Sequence, residues 1–398
     1  MRLTCLRSPV VFALIALLLS GLALLLGPSP RAWAAAQQST TRHVYVLNNN
    51  LVGPNSITVF NRASNGSLTQ VATVPIGGVG SGKDFKSGSQ GSLIITPQAT
   101  RLFAVDAGSN QISVVNILQG HLTLAGVFAS GGVSPISLTY RNGLLYVLDA
   151  AIGSTKAANV AGFHVDSNGI LHRIAGATRA LSTAHPDPAQ VQIDPLGRFL
   201  LVTEKATNLI DVYPIHSDGS LSGPTTFSSV GATPFGMAFK PSSSQDEFIV
   251  SDAAGGPNGT GAASAYSLTN GSIGLINGPV PDHLKAPCWM VVTHNGHFAY
   301  TSNADSHAIS GYSIHTDGTI SLLNSNGVTA TTPSDTFPIE EALSSTSQLY
   351  VLDTRVMLMP PRPATLSGFL IHSNGSLTSV VNSAQITLPV SVVGLAAD

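Results

Sequence analysis

From residue 43 onward, apolar side chains come in short runs broken by Gly, Pro, Asn, Asp and Ser. They never settle into the three-to-four spacing of a helix face. In VQIDPLGRFLLVTEKATNLIDVYPIHSDGSLSG, from Val191 to Gly223, Val191 and Ile193 alternate with polar neighbours, and Pro195-Leu196-Gly197 makes a turn. Phe199 to Val202 continues, Ile210 to Tyr213 follows, and Asp218-Gly219 opens another run. Period-two alternation bounded by turn residues predicts antiparallel strands joined by hairpins.

The phrase repeats. Second strands are expected at 43–48, 101–106, 144–149, 199–204, 247–252, 297–303 and 348–353. Fourth strands are expected to open at Gly66-Ser67-Leu68, Gly120-His121-Leu122, Gly169-Ile170-Leu171, Gly219-Ser220-Leu221, Gly271-Ser272-Ile273, Gly318-Thr319-Ile320 and Gly375-Ser376-Leu377. Four strands in roughly fifty residues is the size of a propeller blade. That period is too long for a solenoid coil and too regular for a sandwich. The expectation is therefore an all-β, seven-bladed β-propeller of four-stranded antiparallel blades. Its ring would be closed by pairing the N-terminal strand with the first-strand-like segment 391–398.

The first thirty-six residues interrupt the pattern. Arg2 and Arg7 precede an apolar run from Pro9 to Gly27, and Ala32-Trp33-Ala34 offers small residues for cleavage. The expected organisation is a signal peptide at 1–36 and one propeller domain at 37–398, secreted or periplasmic and free of the membrane once cleaved. An uncleaved anchor is the competing reading. Cys5 lies in the leader, so Cys288 has no partner thiol in the mature chain, and the fold must rest on its own core. Only 10% of residues are charged and the formal net charge is −2, which gives nucleic acid no electrostatic footing. A monomer is expected, and no cofactor is implied.

Ligands of propellers bind where the loops preceding first strands and following second strands meet at the central funnel. Second strands end in Asn48, Asp106, Asp149, Glu204, Asp252, Asn303 and Asp353. These are either oxygen ligands for calcium or, the stronger reading, acceptors for the following turn amides. Connections into the first strands carry Lys83 and Asp84; His185, Asp187 and Gln190; Asp282, His283 and Lys285; Asp335, Glu340 and Glu341. An imidazole and carboxylates converging on one funnel suit acid-base chemistry, although solvated loop residues would look the same. Trp289 either stacks on a ligand or packs between blades. No G-x-S-x-G elbow, H-E-x-x-H helix or paired-cysteine motif is present, and no metal site is assigned.

DPLGRFLLVTEKATNLIDVYPIHSDGSL (194–221) and HNGHFAYTSNADSHAISGYSIHTDGTISLL (294–323) resemble the repeat phrase of the lactonase family of seven-bladed propellers. Bacterial 6-phosphogluconolactonases and fungal carboxymuconate-lactonizing enzymes belong to that family. The resemblance covers the mature chain and implies lactone hydrolysis or formation. It also implies a His before the first strand of the middle blade, where this chain has Gln190, and an acid after that blade's second strand, kept as Glu204. The family's later arginines are absent here: Ala304 stands after the "S-N", and Pro234-Phe235-Gly236 and Pro338-Ile339-Glu340 hold none. Lactone chemistry on this scaffold would then use His185, Glu204 and Glu340 as catalytic groups. Gln190, Lys205, Lys285 and Trp289 would bind a lactone or sugar-like molecule, the lysines steadying the developing oxyanion. The alternative is a non-catalytic propeller that binds a carbohydrate, a cell-wall fragment or a protein.

Overall fold

The computed structural model describes residues 42–82, 88–241, 246–254, 260–345 and 347–398. The leader, Lys83 and Asp84 lie outside them. The described chain forms seven antiparallel sheets arranged as blades. The first strands, from blade 1 to blade 7, are Val392–Ala397, Leu93–Ile95, Pro135–Arg141, Pro188–Ile193, Pro234–Phe239, Pro287–Val292 and Phe337–Leu343. The second strands, Arg42–Asn48, Arg101–Asp106, Leu144–Asp149, Phe199–Glu204, Asp246–Asp252, Phe298–Asn303 and Gln348–Thr354, fall within one residue of the sequence expectation. In blades 3 and 6 the fourth strand is broken, and Arg179–Ala180 and Ala330–Thr331 resume the pairing.

Blade 1 is built from both ends of the described chain: Val44 pairs Ala397, Tyr45 pairs Ala396 and Val46 pairs Leu395. The next residue locks the joint, because the His43 amide donates to Asp398 Oδ1 at 2.6 Å and Arg62 Nη2 donates to the Asp398 carbonyl at 2.8 Å.

Second strands are buried on both faces because each blade is covered by its neighbours, so they read as continuous apolar runs. Tyrosines in these strands add a directional tie, since a buried hydroxyl must find an acceptor. Tyr146 donates to the Gly219 carbonyl at 2.7 Å, Tyr300 to Gly375 at 2.8 Å and Tyr350 to Gly66 at 2.8 Å, each reaching the hairpin of the following blade.

First strands share a local device. Ser134, Asp187, Thr233 and Ala286 have φ between +51° and +58° and each precedes a proline. The ladder register shifts just after these prolines, between Pro135 and Ser137, Pro188 and Gln190, Pro234 and Met237, and Pro287 and Trp289. Left-handed backbone at non-glycine residues costs energy. Here it recurs in four blades, so it belongs to the scaffold. The bulge it feeds changes the face on which the next side chains stand. Blade 7 has the same shift between Ile339 and Glu341, with Glu340 at φ +46°.

Candidate functional site

Blade 2 lacks that proline. It has Gly88-Ser89-Gln90-Gly91-Ser92 instead, and this segment crosses to the inner strands of blades 3, 4, 6 and 7. The Gln90 side chain holds the backbone of Met290 in blade 6 at both ends, Nε2 donating to its carbonyl at 2.7 Å and Oε1 accepting from its amide at 2.9 Å. The Gln90 amide donates to Ala189 of blade 4 at 3.1 Å, and Leu138 of blade 3 donates to the Gly91 carbonyl at 2.9 Å. From blade 7, Glu340 accepts the Gly91 amide at 3.1 Å. One short stretch thus touches inner strands on every side of the axis.

Several expected site residues are spent on this crossing. Lys205 Nζ donates to the Gly88 carbonyl at 2.9 Å, pairs with Asp187 at 3.2 Å and sits 5.2 Å from the Phe235 ring centroid. Trp289 is buried, donates from Nε1 to the Ser89 carbonyl at 2.8 Å and packs on Phe235 at 5.0 Å. Gln190 Oε1 accepts from the Met237 amide at 2.6 Å. The remaining candidates scatter. His185 is exposed, and Lys285 is half-buried beside the second-strand loop of blade 6. Asp335 pairs with Arg355 at 3.0 Å and Arg362 at 3.4 Å, and the Arg355 hydrogen bond holds its carboxyl below the usual range.

Glu204 is fully buried inside blade 4. It accepts from the Ser182 amide at 3.0 Å, from the Ser182 hydroxyl, and from Thr207 Oγ1 at 2.5 Å. Its neighbour on the third strand is Asp211, whose carboxyl is pushed up to about 8 by burial and then by the Glu204 charge. The structure therefore brings Gln190 and Glu340 to one chamber but leaves His185 and Glu204 apart from them.

Acids at the ends of the other second strands follow one rule, different from a turn-amide role. Asp106 accepts from Ser113 at 2.7 Å, Asp252 from Ser264 at 2.5 Å and Asp353 from Ser367 at 2.5 Å, while Asn48 pairs with Thr58 at 3.0 Å. Each hydroxyl stands two residues beyond the acid's register partner on the third strand. Asp149 faces Ala161 at that place and takes Ser130 instead, at 2.6 Å. Blade 4 puts Asp211 there. Burial raises Asp106 to about 6 and Asp149, Asp252 and Asp353 to about 7, the serine hydrogen bonds pulling the other way. These acids sit one per blade, and among the described residues no three His, Cys, Asp or Glu side chains gather as a metal cluster.

Two cavities flank the crossing segment. On the loop face, a cleft of about 340 Å³ between blades 1, 2 and 3 is lined by Asn49, Ser89, Asn110, Val133, Ser134 and Ile152 among others. Among the described residues no charged side chain is in its walls. Asn110 Oδ1 accepts from the Ser134 amide at 2.8 Å, which fixes the amide side chain against the wall of the cleft. On the opposite side, an open chamber of about 320 Å³ is lined by Gln90, Gln190, Gln192, Glu340 and Glu341 against Leu93, Leu138 and Leu343. Burial drives both glutamates well above the usual carboxylate range, and the Glu340 charge adds to the effect on Glu341.

No family pattern and no curated protein matches the sequence. Solved structures do. A Lactobacillus plantarum protein aligns with a TM-score of 0.69 at 15% identity, covering 90% of this chain and 99% of its own. The Pseudomonas aeruginosa periplasmic gluconolactonase gives 0.64 at 15% identity, over 89% and 98%. A candidate 6-phosphogluconolactonase from Bacteroides fragilis gives 0.64 at 16% identity, over 90% and 98%. The chain has the seven-bladed propeller fold of these structures. At these identities the likeness fixes the arrangement of blades and nothing about chemistry. Within this propeller, Gln90 and Asp211 are the residues that sequence reasoning passed over. The missing proline of blade 2 and the carboxylate in a Ser/Thr position were their signals.

Proposed function

We propose that this lactonase-fold propeller binds an uncharged, polyhydroxylated ring, a sugar or a sugar lactone, in the cleft between blades 1, 2 and 3. The observation that carries the reading is the wall chemistry. Amides, hydroxyls and short apolar side chains line a space of about 340 Å³, with no carboxylate, imidazole or ammonium among the described walls. Neutral donors and acceptors beside small apolar patches suit hydroxyl-rich rings, and this volume falls at the small-ligand end of binding pockets. The reading also takes residues 1–36 as a cleaved leader, so the ligand would be met outside the cytoplasm and by a monomer.

The test is saturation-transfer NMR and calorimetry with a panel of monosaccharides, oligosaccharides and aldonolactones. Binding of at least one neutral member, lost in Val133→Trp, is expected. Failure of the whole panel against folded protein would remove the proposal.

A second reading is the lactone opening that the sequence resemblance implies. His185, which is exposed, would then activate water and Lys285 would be the cationic partner, because Glu204 is enclosed by Ser182 and Thr207 and Lys205 is held by the Gly88 carbonyl and Asp187. Turnover of δ-lactones above the spontaneous rate, reduced at least tenfold in His185→Asn, supports it. Rates equal to background, or unchanged in that variant, count against it.

A further inference from the structure

The chamber on the far side of the crossing segment carries an imbalance that the cleft does not. Glu341 is 4% exposed, and neither of its carboxyl oxygens has a hydrogen-bond partner among the described residues. Both Glu341 and Glu340 line the chamber, and Glu340 follows the same bulge that re-aims first-strand side chains elsewhere. Gln192, on a wall of the same chamber, has an amide oxygen that is likewise unpartnered. As a carboxylate Glu341 offers two vacant acceptor oxygens, and the Gln192 amide oxygen is a third. A buried carboxyl without a donor is costly, so native interiors pair such groups or place them against an ion.

We propose that the axial chamber takes one hydrated divalent cation, held by Glu341 and Glu340 with the Gln192 amide oxygen beside them. An all-oxygen donor set of carboxylates and amides suits a hard ion of the calcium type, and offers none of the nitrogen or sulfur ligands that favour zinc. About 320 Å³ leaves room for the ion's remaining waters. An organic ammonium fits less well, because the aromatic side chain on this wall, Tyr140, is already stacked on Phe103 at 5.3 Å. The proposal is independent of ligand binding in the cleft, which lies across the segment 88–92.

The experiment uses the full protein, stripped with EDTA and titrated with calcium chloride alone by calorimetry and thermal denaturation. One bound ion per chain and a rise in the melting midpoint are expected. Glu341→Gln should weaken binding at least tenfold while melting, without calcium, no lower than the stripped parent. Glu341→Leu gives a second folded variant with the same loss of binding. Absence of calcium binding to the folded parent would overturn the proposal, and so would parental affinity retained in both variants. Tight binding of putrescine with none of calcium would overturn it in favour of an amine.

Discussion

The Tyr350 hydroxyl donates to the Gly66 carbonyl at 2.8 Å, joining blade 7 to blade 1 across 284 residues. It is the same tie that links blades 3 and 4 and blades 6 and 7, so the circle closes with the contact used around it. Tyr350→Phe leaves a buried carbonyl without its donor, and a loss of about 1 to 3 kcal/mol is expected. Urea unfolding followed by tryptophan fluorescence measures it. Removing Val392–Asp398 takes away the inner strand of blade 1, and the truncated chain should show no cooperative transition at all.

Stability should fall as pH rises from mildly acid to mildly alkaline. Asp149, Asp252 and Asp353 have folded-state values near 7 against an ordinary 3.8, so the folded state binds more protons than the unfolded chain between those limits. Their contribution is whole below about 3.8 and is lost as pH climbs through about 7. The melting midpoint should be several degrees higher at pH 5 than at pH 8. Asp252→Asn should flatten the slope, and an unchanged slope would contradict the assignment.

Blade 4 offers a separate check. Asp211 occupies the place taken by Ser or Thr in other blades and is pushed to about 8 by burial and by Glu204. Asp211→Ser restores the acid-hydroxyl pair. Gains on the order of 1 to 2 kcal/mol are expected at pH 9, above the Asp211 value of about 8, and much less at pH 6. Calorimetric scans at the two pH values read the difference.

Gln90 supplies two of the side-chain ties that hold the crossing segment. Gln90→Ala strips both Met290 backbone groups of their partners and should cost about 2 to 5 kcal/mol. Hydrogen exchange at the Met290 amide should accelerate in step. Gly236→Ala should be similarly damaging, because an added Cβ would overlap Gln90 Oε1 and lie 2.6 Å from the Cys288 carbonyl.

Most of the ring was legible in the sequence because its determinants are local. Turn residues mark hairpins, and doubly covered strands are continuous apolar runs such as LLYVLD at 144–149. The closing strand was legible from the apolar pattern of 391–398. The site was far less so. Whether Lys205 meets a ligand or the Gly88 carbonyl depends on a segment 117 residues away, and no period or motif encodes that choice. The acids ending second strands were visible, but their hydroxyl partners required knowing the register. With register in hand, the recurring Ser at 113, 264, 310 and 367 is plain.

Because Gln90 bolts blade 2 to Met290 of blade 6, a single side chain spans the hub between the two recesses. A variant made in one recess can therefore be read against the other as an internal control on the same folded wheel.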